Sequence, residues 1–242
     1  MNPIKDNNET RKKIILAAKS EFAERGYEGA RMSSIAKKAG VNQALIHYYF
    51  ATKEQLYIGI LHRLFGIDRE PEPDEFFNIL KTPSEKLYAI IYAMTYIHLS
   101  GFDPDFSRIM AIELAQRHKN IREFMSSYFI PKMEVIENII KDGIDCGEFE
   151  CENTLLAVLN IFNFIISYPD REHWFDTQWY DRIYGEGYIE RFLSFIMRYT
   201  FKALRPPGKN VAIPVMPDEA MNKLNEFIQK MIEYRKEGGL HE

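Results

Sequence analysis

The chain has 242 residues, 46% hydrophobic and 27% charged, enough for one or two domains with a sizeable core and of the composition expected for a soluble globular protein. No apolar run reaches the ~18 residues of a membrane helix. The polar start MNPIKDNNETRKK is unlike a secretory signal, so the expected location is cytoplasmic. Two cysteines, Cys146 and Cys151, suit a reducing compartment and read as unrelated thiols beside a loop. A net charge of −4 argues against a nucleic-acid partner until its distribution is considered. Residues 1–63 carry 11 Lys and Arg against 6 Asp and Glu, whereas the other 179 carry 20 against 29. A basic head on an acidic body fits a head that contacts DNA and a body that does not.

Residues 10–25 form a first helix, with Ile15, Ala18 and Phe22 on one stripe, and Gly26 ends it. A second helix spans Ser33 to Ala39. Gly40 closes it in the left-handed conformation that only glycine adopts cheaply. Asn42 is the N-cap of a third helix, Gln43 to Phe50. Helix, glycine turn and capped helix make a helix-turn-helix unit, whose second helix enters the DNA major groove. Thr52 and Gln55 form a capping box for a fourth helix, Lys53 to about Phe65, carrying Leu56, Ile60 and Leu64.

Residues 66–82 are Pro-rich and acidic and read as a loop with a short helix. Thr82-Pro83-Ser84-Glu85 starts a helix that runs to Ser100 and stops at Gly101. Asp103-Pro104 starts another through Arg117. The stretch from Asn120 to Asp145 is helical, with Pro131 kinking or breaking it and Gly147 ending it. Asn153 caps a very apolar helix that Pro169 ends. A polar-aromatic connector follows over 170–184, then a helix from Gly187 to Leu204. After Pro206-Pro207-Gly208, an amphipathic helix occupies Pro217 to Lys236. There is no β pattern and no internal repeat, so the fold class is all-α with about ten helices.

The stretch 14–56, IILAAKSEFAERGYEGARMSSIAKKAGVNQALIHYYFATKEQL, resembles the TetR/AcrR family of bacterial transcription regulators. The family spacing is kept by Phe22, Ala23, Gly26, Tyr27, Ile35, Ala36, Ala39, Gly40, Val41, Tyr49, Phe50, Lys53, Glu54 and Leu56. Three departures stand out. Arg31 replaces the usual Thr, leaving Ser33 to cap the helix or meet a phosphate. Leu45 replaces a Thr whose hydroxyl addresses phosphate, and Ala51 replaces a Pro. The resemblance implies a tetracycline repressor-like architecture: a three-helix DNA-binding domain at 1–55 and a helical effector-binding and dimerisation domain at 56–205; the Pro-rich linker and C-terminal amphipathic helix at 206–242 make a tail longer than the family needs, read as covering the body or bridging the dimer. It implies a homodimer on double-stranded operator DNA, a small apolar or amphipathic effector, and repression relieved by that effector.

Within the head, Gln43 is placed to read adenine through its amide and Ala44 to touch a thymine methyl. His47, Tyr48 and Lys53, with Ser33 and Asn42 beside them, are placed for phosphate and helix-end contacts. Tyr49 and Phe50 anchor the reading helix in the core. In the body, Tyr92, Tyr96, Met110, Met125, Phe129, Asn160 and Phe164 are the effector-pocket candidates; the same residue types equally suit a core. Phe162, Ile166, Phe192, Phe195, Ile196 and Tyr199 are the dimer-interface candidates. Asn160, Asn163 and Ser167 share a face, as a polar seam fixing dimer register, a strip lining a pocket, or ordinary buried amides. His98 and His118 lack partners at metal-ligand spacing, so no metal site and no cofactor are expected. With no Gly-rich phosphate loop and no nucleophile elbow, an enzyme is not expected. The competing reading is a helical interaction module with little DNA binding of its own.

Overall fold

A computed structural model of the chain describes residues 3–64, 75–100, 103–116, 125–167, 174–209 and 213–236. Expectations for Phe65, the stretch 66–74, Gly101, Arg117, His118, Asn120, Pro169 and the stretch 170–173 lie outside those residues. Among the described residues there are twelve α-helices, one π-helical turn and no strand. They fall into two compact units: residues 1–70, 103–128 and 233–242, and residues 71–102 and 129–232.

The first unit holds α1 (Pro3–Gly29), α2 (Met32–Ala39), α3 (Gln43–Tyr49), α4 (Lys53–Leu64) and α7 (Pro104–Gln116). Helix α1 starts seven residues earlier than its apolar stripe requires and continues past Gly26, whose φ of 66° and ψ of 176° interrupt it. Ile14, Ala18 and Phe22 of α1, Ile35 of α2, Ile46 of α3 and Leu56 and Ile60 of α4 are its buried core. Each such large side chain contributes about 1.5–3 kcal/mol on burial. Helices α4 and α7 pack with the head in this unit. Tyr57 of α4 sits between Phe22 (4.7 Å between ring centroids) and Tyr27 (5.0 Å). Its hydroxyl donates to Glu113 Oε1 of α7 at 2.6 Å, with both side chains buried. At the other end of α7, Lys19 of α1 pairs with Asp103 at 2.6 Å. Asp103 also caps the helix by accepting from the Asp105 N–H.

The second unit holds α5 (Glu75–Ile79), α6 (Pro83–Ser100), α8 (Ile130–Asp145), α9 (Thr154–Ser167), α10 (Tyr180–Tyr184), α11 (Tyr188–Ala203) and α12 (Asp218–Lys236) as far as Ile232. Helix α6 is central. Every second residue from Leu87 to Leu99 is buried, a pattern that places buried positions all round a helix. It contacts α8, α9 and α11. Its start is the expected capping box: the Glu85 N–H donates to Thr82 Oγ1, and the Thr82 N–H to Glu85 Oε2. The Glu148 carboxylate adds acceptors for the Ser84 N–H and hydroxyl.

Pro131 neither kinks nor interrupts α8. It lies in the first turn, where its missing N–H is harmless, and the widened π turn Met125–Phe129 precedes it. The tail is no independent segment. Ala220, Leu224, Ile228 and Ile232 of α12 are buried against Leu80 and against Ala89, Ala93 and Ile97 of α6. The small alanines allow the close approach, and Tyr92 donates a hydrogen bond to Asn225.

Candidate nucleic-acid interface

The reading helix is set by two local devices. Gly40 takes φ 67° and ψ 31°, and the N–H groups of Gly40 and Val41 return to the carbonyls of Lys37 and Ala36, the bonding pattern of a Schellman turn. Asn42 then accepts from the Leu45 N–H through Oδ1 at 2.7 Å. Helix α3 buries Ile46, and Phe50 beyond its end, leaving Asn42, Gln43, Ala44, His47 and Tyr48 exposed together. Positions 43, 44, 47 and 48 share one face at helical period, and Tyr48 is 77% exposed. Arg11 of α1 stacks its guanidinium over the Phe50 ring at 5.7 Å.

Three expectations need revision. Ser33 caps nothing: the N-cap of α2 is Arg31, which makes no side-chain cap bond, and Ser33 is exposed inside the helix. Lys53 is drawn inward. Its ammonium donates to the Glu28 carbonyl at 3.3 Å and lies 4.7 Å from the Tyr27 ring centre, because the start of α4 abuts the end of α1. His47 is held within its own helix end rather than pointed at a phosphate: Nε2 lies 3.4 Å from Gln43 Nε2, and Nδ1 3.2 Å from the Ala51 carbonyl. Behind the reading helix, Lys38 bonds the buried Glu21 at 3.0 Å and the exposed Glu24 at 2.8 Å, pinning α2 to α1. Hydrogen bonds from Lys38 and then Ser20 hold the Glu24 carboxyl below the usual range.

The effector-pocket candidates are spread over both units. Met110 and Met125 belong to the first unit, and Tyr92, Tyr96 and Phe129 to the second. Tyr92 and Tyr96 are half-buried beside the core formed by α6 and α12, their rings 4.8 Å apart, and burial pushes the Tyr92 hydroxyl up to about 12. Phe129 is buried against Phe162, 4.8 Å away. Asn160 and Phe164 are exposed on the outer face of α9, with Asn163 beside them, because the inner face of that helix is taken by Val158, Ile161 and Ile165.

The dimer candidates divide likewise. Phe162, Phe192 and Ile196 are buried in the subunit's own core, and Ile166 is half-buried. Phe195 (56% exposed) and Tyr199 (49%) face outward and stack with Phe164 at 5.6 and 6.5 Å. Leu155 and Leu156, in the first turn of α9, are exposed as well. Sequence reasoning missed Thr95, which is wholly buried in α6 with a hydroxyl that has no hydrogen-bond partner among the described residues. It also missed Tyr57–Glu113, since nothing in periodicity marks a buried acid on α7.

Residues 14–60 match the family described as bacterial regulatory proteins, tetR family. A fatty acid metabolism regulator protein of Bacillus subtilis is 30% identical over 139 residues, 57% of this chain and 69% of that protein. The HTH-type transcriptional regulator RutR of Escherichia coli is 32% identical over 108 residues, 43% of this chain and 47% of RutR. The crystal structure of the regulator FadR from Bacillus subtilis in complex with stearoyl-CoA shares the fold, with a TM-score of 0.56 at 24% identity over 80% of this chain and 98% of that chain. Among the described residues no helix is long and apolar enough to cross a membrane. The helix-turn-helix geometry and these relatives agree: the chain belongs to the TetR family of bacterial regulatory proteins and is a DNA-binding transcriptional regulator.

Proposed function

We propose that the chain acts in the cytoplasm as a homodimeric repressor, reading operator DNA with α3 of each subunit and leaving it when an apolar or amphipathic effector binds the helical body. The observation that carries this is the exposed face of α3: Gln43, Ala44, His47 and Tyr48 stand together on a rigidly capped helix in a basic head. The exposed stack Phe164, Phe195 and Tyr199 supports pairing of α9 and α11 with their copies in a partner subunit, since aromatic side chains so exposed lose unfavourable hydration there. Two reading helices then address half-sites about 34–36 Å apart.

The relative named for fatty acid metabolism, and the shared fold with a regulator solved with stearoyl-CoA, make a long acyl thioester the first effector to test. The effector acts by binding one spacing of the two heads more tightly than another.

The test begins with selection of bound sites from a random double-stranded library using the full chain. A selected palindrome, a two-subunit mass in sedimentation, and release of the shifted band by stearoyl-CoA support the reading in full. Phe195→Asp should give single subunits that bind the palindrome poorly. Absence of any selected site would favour the interaction-module reading.

A further inference from the structure

Resting on the DNA-reading role proposed above, we propose that His47 is a positioning residue that sets base specificity: it holds the Gln43 amide in the orientation that selects adenine over guanine. A carbonyl oxygen only accepts, so the contact between His47 Nδ1 and the Ala51 carbonyl at 3.2 Å places a hydrogen on Nδ1. The neutral ring then offers a lone pair at Nε2, and the group facing it at 3.4 Å is Gln43 Nε2, which only donates. Donation therefore runs in one direction along residues 43, 47 and 51, from the Gln43 amide through the imidazole to the backbone beyond the end of α3.

This relay decides what Gln43 shows to a base. One of its two N–H hydrogens is engaged by His47. The other stays beside Oε1, so the outward edge carries one donor and one acceptor. Adenine presents the complement in the major groove, an N7 acceptor beside an N6 donor, whereas guanine presents two acceptors, N7 and O6. A glutamine without such a partner can turn its amide over, because its two ends are nearly equal in shape. His47 removes that freedom, and both side chains stand on the exposed face of the helix that enters the groove.

The experiment uses the full-length chain and its library-selected site, remade with each base pair at every position. Gln43→Ala locates the position Gln43 reads, as the one where discrimination disappears. There, the wild type should prefer adenine over guanine by roughly five- to a hundredfold. His47→Ala should compress that ratio to about twofold or less, with discrimination elsewhere in the site and the salt dependence of binding unchanged. His47→Lys, a permanent donor, should capture Oε1 and turn both N–H hydrogens outward, moving the preference to guanine.

Retention of the adenine preference in His47→Ala or His47→Lys overturns the proposal. So does uniform weakening of all sequences with a flatter salt dependence in His47→Ala, the behaviour of a phosphate contact. If Gln43→Ala changes discrimination nowhere, the assignment of Gln43 as the reader fails and the positioning role falls with it, while selection of a palindrome still upholds the regulator reading.

Discussion

Replacing Tyr57 by Phe isolates one buried polar contact of the head. The ring is retained, so its packing on Phe22 and Tyr27 stays and no cavity opens. What is lost is a 2.6 Å hydrogen bond between a tyrosine that is 1% exposed and a glutamate that is 0% exposed. A hydrogen bond to a charged group contributes about 1.5–3 kcal/mol, and a carboxyl that loses its donor without gaining water lies toward the upper end. The expected loss is about 2–3 kcal/mol, or about 5–10 °C in Tm for a chain of this size. Glu113→Gln keeps an acceptor for the hydroxyl and should cost about 1 kcal/mol. The double variant should lose less than the two single losses combined, because both remove the same bond.

Chemical denaturation followed by circular dichroism, at fixed protein concentration, measures all three. The pH dependence supplies an independent check. In the unfolded chain Tyr57 gives up its proton near the ordinary value of 10.0, while in the fold burial, the Glu113 hydrogen bond and the Glu113 charge hold it far higher. The stabilisation from this group is therefore complete below pH 10 and is lost as pH rises above it. The gap between wild type and Tyr57→Phe should be constant up to pH 9 and about 1.4 kcal/mol smaller at pH 11. A loss below about 0.5 kcal/mol for Tyr57→Phe, within the range of an ordinary surface change, would refute the reasoning. A gap indifferent to alkaline pH would refute it too.

Asn42→Ala should cost about 1 kcal/mol and speed amide exchange at Leu45, whereas Asn42→Ser should preserve both, since the cap needs only a short side-chain acceptor. Gly143→Ala should destabilise by about 1–3 kcal/mol despite the better helix propensity of alanine, because the added methyl would overlap the Phe149 ring; pairing it with Phe149→Leu should recover part of the loss in a thermal melt. Truncation after Lys209 should lower Tm and raise binding of a hydrophobic dye without changing the number of subunits, because α12 covers Ala89, Ala93 and Ile97 within the subunit. A fall to single subunits on truncation would instead assign the tail to the dimer.

Local chemistry was readable from the sequence wherever it depends on neighbours in the chain. Gly40 and Asn42 punctuate α2 and α3 as their residue types require, and Thr82 with Glu85 starts α6. The reading of Gln43 to Phe50 as the helix that meets DNA likewise assigned Gln43, Ala44, His47 and Tyr48 to its outside, where all four are exposed, whereas the burial of Ile46 was not foreseen. The same reasoning was weaker for α9. A helix apolar nearly all round has no stripe to orient it, so the division into Phe162 inward and Phe164 outward depends on which helices arrive beside it.

Tertiary structure alone decided the contacts between residues far apart in sequence. Tyr57 found a carboxylate 56 positions away, which ties α4 to α7 within one unit. Lys53 found a carbonyl and a ring at the end of α1. Helix α12 found the alanine face of α6, whose small side chains carry no sign in sequence of what they admit. Capping and periodicity act over a few residues and are written into the order of side chains. Pairing across a fold depends on directions that the whole chain fixes together.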